Sequence, residues 1–189
     1  DLVTLNRCKV LLDSAGEVLL HEIANDYLEL LDTSTAIYEK NGDYALGIFS
    51  SGWCRFLDQA SRDLCKTDDN LEALSCGKWL CHESCWSDVS KLSIKTGKSQ
   101  DVECNGGLRI FAVPILAGTE IVGAINFGYG NPPTDQNKLA EIAQKYEISV
   151  DELKIHSNAY ETRPSFIIET AKKRLFTSAM MIGKLAETS

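Results

Sequence analysis

The sequence lacks any apolar run approaching the roughly 18 residues that suggest a membrane-spanning helix, and it is poor in basic residues. Its 19 lysines and arginines stand against 27 aspartates and glutamates, so the formal net charge is -8. An acidic balance of this kind argues against a surface built for nucleic acid or anionic lipid. We therefore expect neither a nucleic acid nor a membrane as a partner.

Motifs that mark common enzyme classes are also missing. The chain has no Gly-x-Ser-x-Gly nucleophile turn, no phosphate-binding loop and no His-Glu-x-x-His zinc motif. The glycine-containing run at residues 123–128 falls inside a predicted strand and precedes no helix, so it is not a nucleotide-binding fingerprint. Cys104 with His82 as its base is the remaining enzyme alternative. We predict a protein that is not an enzyme.

Cysteine, by contrast, is abundant, with seven residues in a chain of 189. An odd number cannot be fully paired within one chain, and the spacing lacks the density of a small secreted disulfide scaffold. These features predict a reducing, cytoplasmic location in which the thiols serve as core residues, metal ligands or redox-active groups. The chain begins at Asp1 without a leader, which suggests an excised fragment.

The spacing of apolar residues predicts an α/β fold of the α+β type, with a central antiparallel sheet flanked by helices. Residues 17–31 form an amphipathic helix, and Asn41-Gly42 joins two strands in a hairpin. A helix over residues 53–65 carries Trp53 on its apolar side and Asp58 on its polar side. The other expected elements are strands at 34–38, 44–49, 108–115 and 120–129, and helices at 135–146, after Ser149 and from 165.

The same pattern predicts three parts of the chain. Residues 1–33 form an N-terminal helical segment, residues 34–160 the central domain, and residues 161–189 a C-terminal helix. A chain of this length can bury the core of one domain and still carry an appendage.

The chain is organised around residues 79–115, which hold three of the cysteines. Cys81 and Cys85 are four residues apart and share one face of a helix. This helix breaks near Gly97, and Cys104 follows in a short alternating run. A helix and a strand that pack together could bring these thiols to one pocket.

Two interpretations of the thiols stay open. The most economical metal-ligand set is Cys54, Cys81, Cys85 and Cys104, and thiolates suit zinc or an iron–sulfur cluster. His82 could replace one thiol or bind a haem iron. Alternatively, small cysteine side chains line an apolar pocket because they pack well. Four aromatic residues could wall such a pocket, although each is also an ordinary core residue: Trp53, Trp86, Phe111 and Phe127.

The C-terminal helix carries apolar residues at alternating steps of three and four, a seam resembling that of a coiled coil. Its members are Ile168, Ala171, Leu175, Ser178, Ile182 and Leu185. The seam predicts a homodimer, and the alternative is a helix that packs within its own domain. For a dimer, Ile168→Asp or Leu175→Asp should separate the subunits and leave ligand binding intact.

Several motifs together resemble the PocR-type sensory domain, a relative of the GAF and PAS sensor folds. The specific part is Cys104-Asn105-Gly106-Gly107-Leu108, followed by Val113-Pro114-Ile115 and a glycine-containing strand that ends at Gly128. Weaker matches are the hairpin at residues 37–42, Gly52-Trp53-Cys54, and Cys85 leading a helix that ends at Thr96-Gly97. The resemblance covers roughly residues 34–130.

This resemblance implies a GAF/PAS-like sheet and a ligand-sensing role in prokaryotic signalling. The implied ligand is a small hydrocarbon derivative such as a short diol, and the implied partner is a covalently linked output domain. Relay would occur by a shift between two packings of the terminal helices. We predict ligand contacts from Trp53, Cys54, Cys85, Trp86, Cys104, Phe111 and Phe127. The chain departs from the family pattern at Asn105, where a histidine is common, and in its extra thiols at Cys65, Cys76 and Cys81.

Overall fold

A five-stranded antiparallel sheet forms the centre of the protein in a computed structural model that describes residues 1–188, the side chain of Phe49 excepted. The strands are β1 (Ser34–Glu39), β2 (Tyr44–Ser50), β3 (Gln100–Glu103), β4 (Arg109–Ala117) and β5 (Glu120–Tyr129). Their order in the sheet is β2-β1-β5-β4-β3. The α+β fold is therefore confirmed and is consistent with a GAF/PAS-like architecture.

Helices cover both faces of the sheet. A short 3-10 helix spans Leu2–Leu5, and a π-helix spans Glu83–Ser90. The α-helices are α1 (Val10–Ala15), α2 (Glu17–Leu31), α3 (Gly52–Asp63), α4 (Asn70–Ser75), α5 (Leu80–His82), α6 (Lys91–Thr96), α7 (Gln136–Tyr146), α8 (Val150–Ala159) and α9 (Ser165–Thr188). Within residues 1–188, no helix is both long and apolar enough to cross a bilayer.

The predicted hairpin between β1 and β2 is confirmed. Asn41 Oδ1 accepts a hydrogen bond from Asp43 N at 3.0 Å, which closes the turn locally. Gly42 adopts a φ of 95°, a conformation that glycine tolerates best. A Cβ atom at Gly42 would lie 2.6 Å from the Trp86 ring, so the turn also requires glycine because of its close approach to the π-helix.

Alternation along the strands gives the sheet two different faces. One face carries Phe111 and Phe127 and packs against α1, α2 and α9 in the largest apolar cluster. The other face carries Tyr38 and Ile110 and packs against the π-helix. Since α2 and α9 share the first cluster with the strands, the N-terminal and C-terminal parts contribute to the core of the central domain. The domain boundaries at 33/34 and 160/161 stay predictions.

The seam on α9 faces its own sheet. Ala171, Leu175 and Ile182 are fully buried in the cluster with β4, and Ser178 hydrogen bonds to the hydroxyl of Tyr27 at 2.7 Å. The alternating spacing therefore reflects packing within the domain, the second of the two alternatives for this seam. Homodimer formation itself stays a prediction.

Leu175→Asp is consequently expected to destabilise the whole domain rather than to separate two subunits. A carboxylate at this fully buried position would lack a partner, and we expect a loss of at least about 3 kcal/mol in the free energy of unfolding. Urea denaturation monitored by circular dichroism measures this loss. The matched control is Met180→Asp on the exposed side of the same helix, which should change stability little. Equal stability of the two variants would contradict the packing described for α9.

Two of the seven cysteines are paired. Cys65, just beyond α3, and Cys76, just beyond α4, form a disulfide with their Cα atoms 5.9 Å apart. The bridge encloses α4 and the preceding connector. The free thiols of the described residues are Cys8, Cys54, Cys81, Cys85 and Cys104. The sequence-based expectation of a reducing location did not include this disulfide, and the cytoplasmic location stays a prediction.

Candidate functional site

The four thiols of the proposed ligand set lie around one cavity beside the sheet. Cys54 comes from α3, Cys81 from α5, Cys85 from the π-helix and Cys104 from the turn after β3. The spacing of Cys81 and Cys85 indicated a shared helix face, and the structure places both at this cavity. Its volume is about 30 Å³, room for one or two water molecules. We refer to it as the thiol cavity.

The thiol cavity forms where two apolar clusters meet. Trp53 and Leu57 from α3 contribute one wall, and Tyr146 from the end of α7 contributes another. Ile110 of β4 forms the floor on the sheet side. The complete lining is Ser34, Ile48, Trp53, Cys54, Leu57, Asp58, Cys81, Ser84, Cys85, Cys104, Gly106, Leu108, Ile110 and Tyr146.

Trp53 fixes the turn that carries Cys104. Its indole Nε1 donates a hydrogen bond to the carbonyl oxygen of Gly106 at 3.1 Å, and the ring is 1 % exposed. A Cβ atom at Gly106 would lie 2.6 Å from Leu57 Cδ1, so glycine allows the turn to lie directly against α3. The Gly-Trp and Cys-x-Gly-Gly motifs of the sequence therefore meet in space.

The π-helix positions Ser84 and Cys85 at the cavity. Asn126 of β5 holds it from below, because its Nδ2 donates to the carbonyl oxygen of Cys85 at 3.3 Å and to Ser90 Oγ at 2.9 Å. From the side, the backbone and side-chain amides of Asn105 donate to Ser84 Oγ at 3.0 and 2.9 Å. Helices with this wider winding occur frequently at functional sites. The sequence pattern predicts an ordinary helix over this segment.

Of the four aromatic residues predicted to contact a ligand, the structure brings only one to the thiol cavity. Trp53 lines the thiol cavity, but Phe111 and Phe127 lie on the opposite face of the sheet beside Tyr27. Trp86 packs against Tyr38, with ring centroids 5.0 Å apart. The structure does not bring these three rings to the cavity, and their role in ligand binding stays a prediction without support from this geometry.

Asp58 is the principal residue that sequence reasoning missed. The sequence pattern puts Asp58 on the polar side of its helix, whereas the structure places it in the cavity lining. The available indication was its position four residues after Cys54, which puts both side chains on one helical face. Asp58 Oδ1 accepts a hydrogen bond from Trp79 Nε1 at 2.8 Å. Burial raises the pKa of Asp58 to about 6. The hydrogen bond from Trp79 and the positive charge of Arg62 act in the opposite direction but do not cancel the effect of burial.

Burial also governs the protonation of the thiols. It raises the pKa of Cys54, Cys81, Cys85 and Cys104, and it does so most clearly for the first three. The four side chains are therefore neutral thiols near pH 7 in the absence of a bound cation. Neutral thiols are poor nucleophiles. They act here as small, polarisable lining groups.

His82 does not join the thiols. Its Nδ1 lies 2.7 Å from the hydroxyl of Tyr44, and burial lowers the pKa of the ring. It is absent from the cavity lining that contains Cys104, and among the described residues no hydrogen bond joins His82 to Cys104. Among residues 1–188, no group of three or more His, Cys, Asp or Glu side chains has an arrangement that could hold a metal ion. Binding of zinc, an iron–sulfur cluster or haem stays a prediction that this geometry does not favour.

Comparison with known proteins extends the resemblance along the chain. A family model described as "Sensory domain found in PocR" matches residues 17–187. No curated protein and no solved structure gives a match. The matched region begins at the start of α2 and ends one residue before the end of α9, so it includes every element that lines the thiol cavity.

Proposed function

Because the chain belongs to the family of sensory domains found in PocR, we propose that it detects a small molecule bound in the thiol cavity. Family membership supports a sensory role in signalling. The observation that carries the location is the convergence of Cys54, Cys81, Cys85 and Cys104 on a single cavity. Ligand sites in proteins are typically concave and mainly apolar, with a few polar groups.

The size of the thiol cavity suggests how binding could produce a signal. A cavity of about 30 Å³ holds one or two water molecules, so an organic ligand has to displace lining side chains. A ligand that binds an expanded state better shifts the population toward that state by its differential affinity. A tight cavity in the unliganded protein therefore suits a sensor.

Strand β4 offers a route from the cavity to α9. Ile110 faces the cavity, while Phe111, Val113 and Ile115 point to the opposite face, where α9 packs. A displacement of β4 by the ligand would move both faces, since interiors are close-packed and transmit strain. We propose that α9 passes this displacement to an output module of the signalling protein.

Two opposite substitutions at Cys54 test the proposed site. Cys54→Leu should fill the cavity and abolish the thermal shift that a bound ligand produces. Cys54→Ala should enlarge the cavity and favour the next larger member of the same ligand series. A thermal-shift screen of short alcohols, ketones and amines on the wild type and both variants measures these changes.

The control for this screen is Cys8→Ala, because Cys8 is a free thiol outside the cavity lining. It should leave the ligand response unchanged. A ligand that raises the melting temperature equally in the wild type and in folded Cys54→Leu would place its site elsewhere and contradict the proposal.

A further inference from the structure

We propose that Asp58 is a specificity-determining residue and that the thiol cavity selects a small organic cation, namely a short primary ammonium ion. This inference rests on the proposed function, because it names the chemical class of ligand for the same cavity. Asp58 is the only charged residue among the described residues that line it.

The carboxylate of Asp58 is incompletely paired. Its Oδ1 accepts from Trp79 Nε1 at 2.8 Å, and Oδ2 receives no hydrogen bond from the residues that the structure describes. The Asp58 side chain is partly buried, and partial removal of a carboxylate from water is costly unless a charge or a donor offsets it. A ligand that brings a positive charge and N–H donors would complete its coordination.

The nearest cation of the protein is committed elsewhere. The guanidinium of Arg62, one turn along α3, lies over the Trp79 ring at 5.4 Å. Its Nη1 donates to the carbonyl oxygen of Thr67 at 2.7 Å and its Nη2 to Asn70 Oδ1 at 3.2 Å. Among the described residues, no salt bridge joins Arg62 to Asp58. Arg62 therefore leaves the cavity side of the carboxylate available.

The other titratable groups that interact with Asp58 are uncharged near pH 7. They are the thiols of Cys54, Cys81 and Cys85 and the hydroxyls of Tyr38 and Tyr44, all with pKa values raised mainly by burial. The cavity lining thus presents one negative charge among neutral groups, with Arg62 outside the lining. A neutral alcohol of the same size could donate a hydrogen bond to this carboxylate but would leave its charge unpaired. The net charge of -8 also favours the approach of cations.

The direct test compares ethylammonium chloride with ethanol on the wild-type protein by isothermal titration calorimetry, at ionic strength matched with sodium chloride. We expect ethylammonium to bind about 10-fold or more tightly than ethanol, the difference between a charge-assisted and a neutral hydrogen bond. Asp58→Asn keeps an acceptor for the Trp79 indole. It should lower the affinity for ethylammonium by about the same factor and change the affinity for ethanol little. The matched control is Asp63→Asn at the exposed end of α3, which should change neither affinity.

The pH dependence provides a second readout on the unmodified protein. Between pH 5 and pH 7 the affinity for ethylammonium should rise, because Asp58 ionises with a pKa of about 6. The affinity for ethanol should not rise in the same way. This comparison remains decisive even if Asp58→Asn fails to fold.

Three results would overturn the inference. Equal affinities for ethanol and ethylammonium would show that the cavity does not select for charge, although it would still be a site for small molecules. Binding of ethylammonium that is unchanged in Asp58→Asn and independent of pH would assign recognition to other residues. If neither probe binds the wild type, the cation inference fails. If, in addition, no compound of the broader screen binds, the proposed function fails with it.

Discussion

Gly183→Ala is expected to destabilise the domain, although the same change in an exposed helix would stabilise it. In a free helix the substitution of alanine for glycine gains about 1 kcal/mol. In α9, a Cβ atom at position 183 would collide with the carbonyl oxygen of Leu116 and lie 2.9 Å from its carbonyl carbon. Because these are backbone atoms of β4, the clash is relieved only by moving α9 or the strand. Overpacking of this kind typically costs about 1–3 kcal/mol and occasionally more.

We therefore expect a net loss of about 2 kcal/mol or more in the free energy of unfolding, measured by urea denaturation. Thr177→Ala, on the exposed side of α9, is the control and should be neutral or slightly stabilising, since alanine has the higher helix propensity. If Gly183→Ala instead stabilised the protein, as replacement of a solvent-exposed helical glycine by alanine does, α9 would not lie against β4 in solution.

Trp53→Ala is expected to have the largest effect at the candidate site. The side chain is buried between α3 and the turn that carries Cys104, and its indole N–H bonds to Gly106. Replacing a buried tryptophan by alanine typically costs about 3–5 kcal/mol. Here the substitution also releases the turn, so ligand binding should be lost even at temperatures where the protein remains folded.

Trp53→Phe separates packing from hydrogen bonding. Phenylalanine retains much of the apolar contact but leaves the Gly106 carbonyl oxygen without its indole donor, which costs about 1–3 kcal/mol. Denaturation curves for both variants should therefore rank wild type, phenylalanine and alanine in decreasing stability. If the two variants proved equally unstable, the contribution of Trp53 would lie in the hydrogen bond rather than in its packing.

Local chemistry explains which elements could be predicted from the sequence. The Asn41-Gly42 turn closes through contacts within three residues, and β5 and α2 have the predicted bounds because strong apolar periodicity runs through them. Cys81 and Cys85 reach one cavity because residues four apart share a helical face. In each of these cases the determining interaction lies within a few residues of the chain.

The features that escaped prediction depend on contacts distant in the chain. The seam on α9 has the same spacing for an intermolecular as for an intramolecular surface, and only the position of β4 decides between them. Phe111 and Phe127 could not be assigned to a face of the sheet before the packing of helices on each face was known. The polarity of Asp58 predicts a surface position. Its contact with Trp79, which lies 21 residues further along the chain, cannot be read from the sequence.

The π-helix also has a consequence for the divergence of related chains. Over a given rise, a π-helix accommodates one more residue than an α-helix, so a single deletion within residues 83–90 could restore ordinary winding. The segments on either side of the deletion would keep their orientation, because the residue removed is the extra one of the wide turn. Cys81 would stay at the cavity, whereas Ser84 and Cys85 lie within the altered turn. The gain or loss of one codon would thus exchange the lining groups supplied by this turn and leave the rest of the cavity in place, a faster route to a new chemical preference than successive point substitutions.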